Sequence, residues 1–196
     1  MLRNSNFSDA GEITNIHYSS EVAGILGKLS PLLLRENFYI PLLSDPKTLS
    51  ISSVDINHRI QGFLAYRSTA SQDVFSLPRR TPKLYLEVFR VILKNPTYIS
   101  VILNVLLTER RSSHLLKLQN IHYGEVQILI VRKDSQGMGI GSELMENLVR
   151  TANWSNMIVK TQSEDAKLFY MRHGFIQIME CKLLGSKIFV LLLGKV

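Results

Sequence analysis

The chain has 196 residues, enough for one well-packed domain with room for an insertion and too few for two full ones. With 45% hydrophobic and 20% charged residues it has ordinary globular composition, which excludes a disordered or fibrous chain. Twenty-three Lys and Arg against sixteen Asp and Glu leave +7, but the cations fall in scattered pairs such as Arg79-Arg80, Arg110-Arg111 and Arg132-Lys133, without the dense stripe of a nucleic-acid binder.

A single cysteine, Cys181, excludes an intramolecular disulfide and a CxxC metal or redox pair, and its alternating context FIQIMECKLL reads as packing. The N-terminus lacks an apolar core of signal-peptide length, so a cytoplasmic location is expected. The most apolar stretch, VFRVILKNPTYISVILNVLL, is interrupted by Arg90, Lys94 and Pro96. It is not expected to span a membrane, which leaves peripheral contact open.

In chain order, a short extended start precedes a helix signalled by Ser8-Asp9, with Ile13, Ile16 and His17 on one side. A second helical piece is read after Pro31, through LLLRENFYIPLL. Residues 48 to 69 form two β-rich runs about Asn57-His58, an antiparallel hairpin in which His58 is a turn residue. The span 82 to 120 carries helical periods on either side of Asn95-Pro96, a helical hairpin. Then follow the strand GEVQILIVRKD, the glycine stretch QGMGIG, a helix from Ser142 to Asn153, the strand MIVKT, the helix EDAKLFYMRHG and the strands FIQIMECKLL and KIFVLLL about a Gly185-Ser186 turn.

The sequence strand, glycine turn, helix start is one in which free backbone amides and the positive helix terminus converge, as suits a phosphate. Gly137, Gly139 and Gly141 alternate in it, and Ser142 adds a hydroxyl. The spacing is neither GxGxxG nor GxxxxGK[ST], so a dinucleotide fold and a P-loop are excluded. These six residues alone leave a phosphate cradle and a plain tight turn equally open.

The surrounding segment EVQILIVRKDSQGMGIGSELMENLVRTA resembles motif A of the GNAT superfamily of acyl-CoA N-acyltransferases, with Gln136, Gly139 and Gly141 on its loop pattern. SEDAKLFYMRHGF resembles motif B, with Ala166, Phe169, Tyr170, Gly174 and Phe175 in place and Ser163 where asparagine is usual. LRNSNFSDAGEITNIH looks like the family's first strand and helix, and IQGFLA like its third strand. The resemblance implies a single α/β (α+β) domain over 1–196: a mixed, mostly antiparallel sheet splayed after the fourth strand, flanked by helices, with 82–120 a helical insertion.

It also implies an acetyl-CoA-dependent N-acetyltransferase without a metal. The main chain at Leu129 and Val131 would pair with the pantetheine arm, and the loop of Gln136, Gly137, Met138, Gly139, Ile140, Gly141 and Ser142 would hold the pyrophosphate. Ser163, shorter than the usual asparagine, would contact the cofactor arm through water or not at all. Tyr170 corresponds to the general acid that protonates the departing thiolate, and Glu125 to the group that accepts the amine proton. His122 and Tyr123 are neighbours that could act in its place.

The acceptor is expected to be a primary amine of a small molecule such as an amino sugar or sugar nucleotide, with Arg79, Arg80, Arg110 or Arg111 meeting a phosphate on it. A protein or peptide acceptor is the alternative, and a non-catalytic acyl-CoA-binding sensor or interaction domain a reading of another class. Monomer and homodimer are both open.

Overall fold

A computed structural model describes residues 1–20, 26–68, 81–119, 121–152 and 155–194. The apolar alternation of the β-rich runs builds one seven-stranded sheet in the order β1-β2-β3-β4-β5-β7-β6. The strands are β1 (Leu2–Asn4), β2 (Thr48–Val54), β3 (Ile60–Arg67), β4 (Gly124–Val131), β5 (Asn156–Thr161), β6 (Ile176–Leu183) and β7 (Ser186–Gly194). Among the described residues only β4 and β5 pair in parallel. The expected mixed, mostly antiparallel sheet is thus observed, with β7 slotted between β5 and β6.

The β2–β3 turn is tied by Asp55, whose carboxylate accepts from Asn57 N and Arg59 N, while His58 takes φ 62 there. The β6–β7 turn is made by Leu184 and Gly185, with φ 47 and 84, one residue earlier than the expected Gly185-Ser186 pair. Both turn residues need positive φ, and Ser186 is already the first residue of β7.

One sheet face carries α6 (Ile140–Thr151) and α7 (Glu164–Arg172). Leu144, Met145 and Leu148 of α6 pack there against Leu64, Met157 and Val159, and all six are at most 3% exposed. Each such side chain contributes on the order of 2 kcal/mol by leaving water. Gly62 in β3 permits this contact, because a Cβ there would lie 2.7 Å from Ile140 Cγ2.

The other face carries α1 (Ala10–Ser19) with Ile13 and Ile16 on Phe63 and Ile130, as helical spacing predicts. The entry to α1 is capped one step earlier than Ser8-Asp9. Asn6 Oδ1 accepts from Ser8 N, and Asp9 accepts from Asn6 N at 2.8 Å and from Arg3 at 2.7 and 2.8 Å.

The helical piece after Pro31 comprises α2 (Pro31–Leu34), a π-turn over Arg35–Tyr39 and α3 (Ile40–Ser44). Pro41 has no N–H and crowds the carbonyl four residues back, which fits the widened turn ahead of it. The insertion forms the expected helical hairpin, α4 (Pro82–Lys94) and α5 (Thr97–Leu118), broken at Asn95-Pro96. α4 joins the α1 cluster through Leu84, and α5 lies across β6 and β7 on the same face.

Candidate functional site

β4 and β5 share register only over Gly124–Val126 and Met157–Val159. At that point the β3–β4 register slips, with Ala65 opposite Ile128 and Tyr66 opposite Val126, so Gln127 is an extra residue on β4. A bulge bends its strand and ends pairing. From Gln127 onward β4 is bonded to β3 alone, and a wedge opens between it and β5.

Arg132 N donates to Gln61 O at 2.8 Å, which fixes the phase of the ladder. By alternation the main chain of Ile130 and Ile128 faces β3, and that of Leu129 and Val131 faces the wedge. The carbonyl of Val131 is met there by Gln136 Nε2 at 3.2 Å, which folds the loop back on its own strand. Leu129 and the N–H of Val131 remain on the open edge.

The loop is anchored before it reaches the glycines. Arg132 donates to Ile60 O at 2.6 Å and to Glu12 at 2.9 Å, joining β3, β4 and α1 at its root. Gly137 and Gly139 have φ 79 and 81, the left-handed region that a side chain resists, and Gly139 caps α6. A Cβ at either meets nothing within 4 Å, so backbone conformation and not crowding calls for glycine.

Gly141 differs, with no positive φ. A Cβ there would touch the Phe169 ring at 3.5 Å and Val131 at 3.7 Å, so it is where α7 closes on α6. The amides of Ile140, Gly141 and Ser142 precede the first intrahelical bond, Glu143 N to Gly139 O. Met138 is 71% exposed at the loop tip, and Ile140 points into the core, so only its main chain faces the wedge.

Across the wedge, Ser163 caps α7 by accepting from Ala166 N at 3.2 Å. Tyr170 is 6% exposed, with Phe169 and Phe175 edge-on at 5.2 and 5.5 Å between centroids. Burial pushes its phenol far above the ordinary tyrosine range, so the ring carries its proton at any working pH. Its hydroxyl has no partner among the described residues and is not sealed from solvent.

Glu125 lies at the other end of β4, on the face that carries α5. It pairs at 3.1 Å with Lys160 Nζ, which also donates to both oxygens of Glu109 at 2.6 Å. The three side chains are 11 to 20% exposed. Burial pushes the Glu109 carboxyl up, only partly offset by Lys160 and reinforced by Glu125. Burial pulls Lys160 the other way, but the two carboxylates outweigh it and the ammonium is held above its usual range.

Glu109 and Lys160 were not singled out from the sequence. A lysine inside the apolar strand MIVKT was a visible signal, since a buried cation demands a partner. The His122 carbonyl accepts from Ser155 and Asn156 while its ring is exposed. Arg110 and Arg111 turn outward from α5. Arg79, Arg80 and the expected helix end at Asn153 lie outside the described residues.

Residues 109–177 match the family profile described as an acetyltransferase (GNAT) domain, which spans the wedge, the glycine loop and α7. That segment, about a third of the chain, is what is similar to the GNAT acetyltransferase family. The fold as a whole is similar, over 100% of the chain and 99% of the other, to a polyamine N-acetyltransferase from Drosophila melanogaster that forms N-acetylagmatine (TM-score 0.62, 12% identity). It is similar over 100% and 96% to a histone acetyltransferase HPA2-related protein from Corynebacterium glutamicum (0.62, 13%). A ribosomal-protein-S18-alanine N-acetyltransferase from Escherichia coli aligns over 99% and 92% (0.60, 10%). No curated protein sequence matches significantly. At these identities the likeness is one of fold, and the acceptors in those names range from polyamine to protein.

Proposed function

We propose that the protein moves an acetyl group from acetyl-CoA to a primary amine of a small molecule, by direct attack in a ternary complex in the cytoplasm. The observation that carries this is the wedge beside β4, where an open strand edge runs into a loop with two left-handed glycines and a helix N-terminus. Those features fit the cofactor. Leu129 and Val131 offer an edge to an extended amide-bearing arm, and the amides from Gly137 to Ser142 suit a pyrophosphate. The bound cofactor supplies an acyl group activated as a thioester.

Transfer forms a C–N bond, breaks the C–S bond, takes one proton from the amine and gives one to the thiolate. Tyr170 is the proton donor in this reading, since its phenol is protonated, unpaired and flanked by the cofactor's helix. Glu125 is the acceptor of the amine proton, directly or through water. It lies 3.1 Å from Lys160, beside the strand edge at which the amine would arrive.

A small acceptor is favoured because α5 covers β6 and β7 on the face from which an acceptor must approach, leaving less room for an extended peptide. The local cluster of two carboxylates around one lysine is net negative, which suits a cationic amine better than a phosphorylated one. Arg110 and Arg111, which face outward, do not favour an acceptor phosphate.

Incubation with acetyl-CoA and pooled polyamines, amino sugars and peptides, followed by free thiol, tests the reading. Thiol release is expected with small amines, falling by roughly 10²-fold or more in Tyr170→Phe. Release with peptides alone would replace the acceptor class. Binding of acetyl-CoA without release for any amine would identify a sensor.

A further inference from the structure

The α4–α5 hairpin is built inside out. On α5 the buried positions recur one per four residues as Ser100, Asn104, Thr108 and Ser112, with the apolar Leu116 closing the row, and Asn104 Nδ2 donates to Ser186 O at 2.9 Å. The outward stripe is apolar: Ile99, Leu103, Leu106 and Leu107 are 37 to 45% exposed. On α4 only Leu84 is buried, while Tyr85, Leu86, Phe89 and Leu93 are 50 to 65% exposed. Both helices pack on the same sheet face, so both stripes look away from it. Contiguous exposed apolar surface of this kind marks a contact surface.

Charge decides what covers it. Lys83, Arg90 and Lys94 stand exposed among the α4 apolar residues, and Arg110, Arg111 and Lys117 are exposed on α5. None has an ionic partner among the described residues. The two carboxylates of these helices are turned inward, Glu87 onto Ser30 and Glu109 onto Lys160. A second copy of the chain would set cations against cations, whereas an anionic surface neutralises them. Neither helix is long and apolar enough to cross a membrane. An apolar face rimmed by Lys and Arg and carrying aromatic rings suits a helix lying in the headgroup region.

We propose that the outer face of the α4–α5 hairpin docks on an anionic lipid bilayer, with Phe89 and Leu93 at the headgroup–acyl boundary and Lys83, Arg90 and Lys94 at the phosphates. The surface is independent of the acyl-transfer reading. The test is co-sedimentation of the whole protein with vesicles of phosphatidylcholine, with and without phosphatidylserine, at low and high salt.

Binding is expected only to the serine-containing vesicles, weakening as salt rises. The pairs Phe89→Ser with Leu93→Ser and Arg90→Gln with Lys94→Gln should each weaken it about tenfold or more. The midpoint of thermal unfolding and acetyl-CoA binding should stay unchanged. Absence of binding, or equal binding to neutral vesicles, overturns the proposal. A concentration-dependent dimer that Phe89→Ser with Leu93→Ser abolishes, without vesicle binding, would show that a second copy covers the face and would overturn it too.

Discussion

His17 lies on the inner side of α1, 1% exposed, with Nδ1 2.6 Å from the Tyr39 hydroxyl and Nε2 without a partner among the described residues. Burial holds its pKa down to about 4 from 6.5, so the native state keeps it neutral. The unfolded chain binds a proton below about pH 6.5 and the folded chain does not until about pH 4, so stability falls as pH drops through that window. The full loss is on the order of 3 kcal/mol. Denaturant titrations at pH 7 and pH 4.5 should show a drop that His17→Gln largely removes; an equal drop in that variant would contradict the assignment. Asp9, whose carboxyl Arg3 holds below its usual range, has its stabilising pairing lost only at lower pH. Helical spacing put His17 on the inward side of α1. Its partner Tyr39 was not legible, because that contact joins helices 22 residues apart through tertiary packing.

At the scale of elements, α5 is pinned to the sheet by Lys160 between Glu109 and Glu125. Removing one member of a buried ion pair strands the others, at a cost of about 3–5 kcal/mol. Lys160→Met should lower stability by that order, measured by denaturant unfolding, and adding Glu109→Gln should return part of it. A single variant as stable as the parent would mean that the pair is solvated. The helices of the insertion were legible from apolar period and the Asn95-Pro96 break. Their orientation was not, since an apolar period does not say which way it faces, and Ile99, Leu103 and Leu106 are turned outward. Small polar residues at 100, 104, 108 and 112 let α5 approach β6 and β7 closely, and that complementarity exists only once the strands are in place.

Across the whole molecule, the loop-to-helix turn was legible because it rests on residues close in sequence, and the sheet class and the splay after β4 were legible only through the resemblance carried by two such local motifs. The place of β7 between β5 and β6 and the Gln127 bulge were not, because register is set by partners across the sheet. The bulge and the end of β5 pairing coincide, and together they hold the wedge open over the glycine loop. The stretch QGMGIG is thus divided in its demands: Gly137 and Gly139 serve backbone conformation, whereas at Gly141 a Cβ would only reach ordinary contact with Phe169 of α7.

Calorimetric titration of acetyl-CoA into the parent and into Gly139→Val tests the cofactor cradle. Saturable binding by the parent is expected. In the variant binding should be lost while the circular dichroism spectrum and cooperative unfolding persist, since β-branched side chains resist φ 81 and the loop amides would no longer converge. Equal affinity in the two proteins, or no binding by the parent, would contradict it.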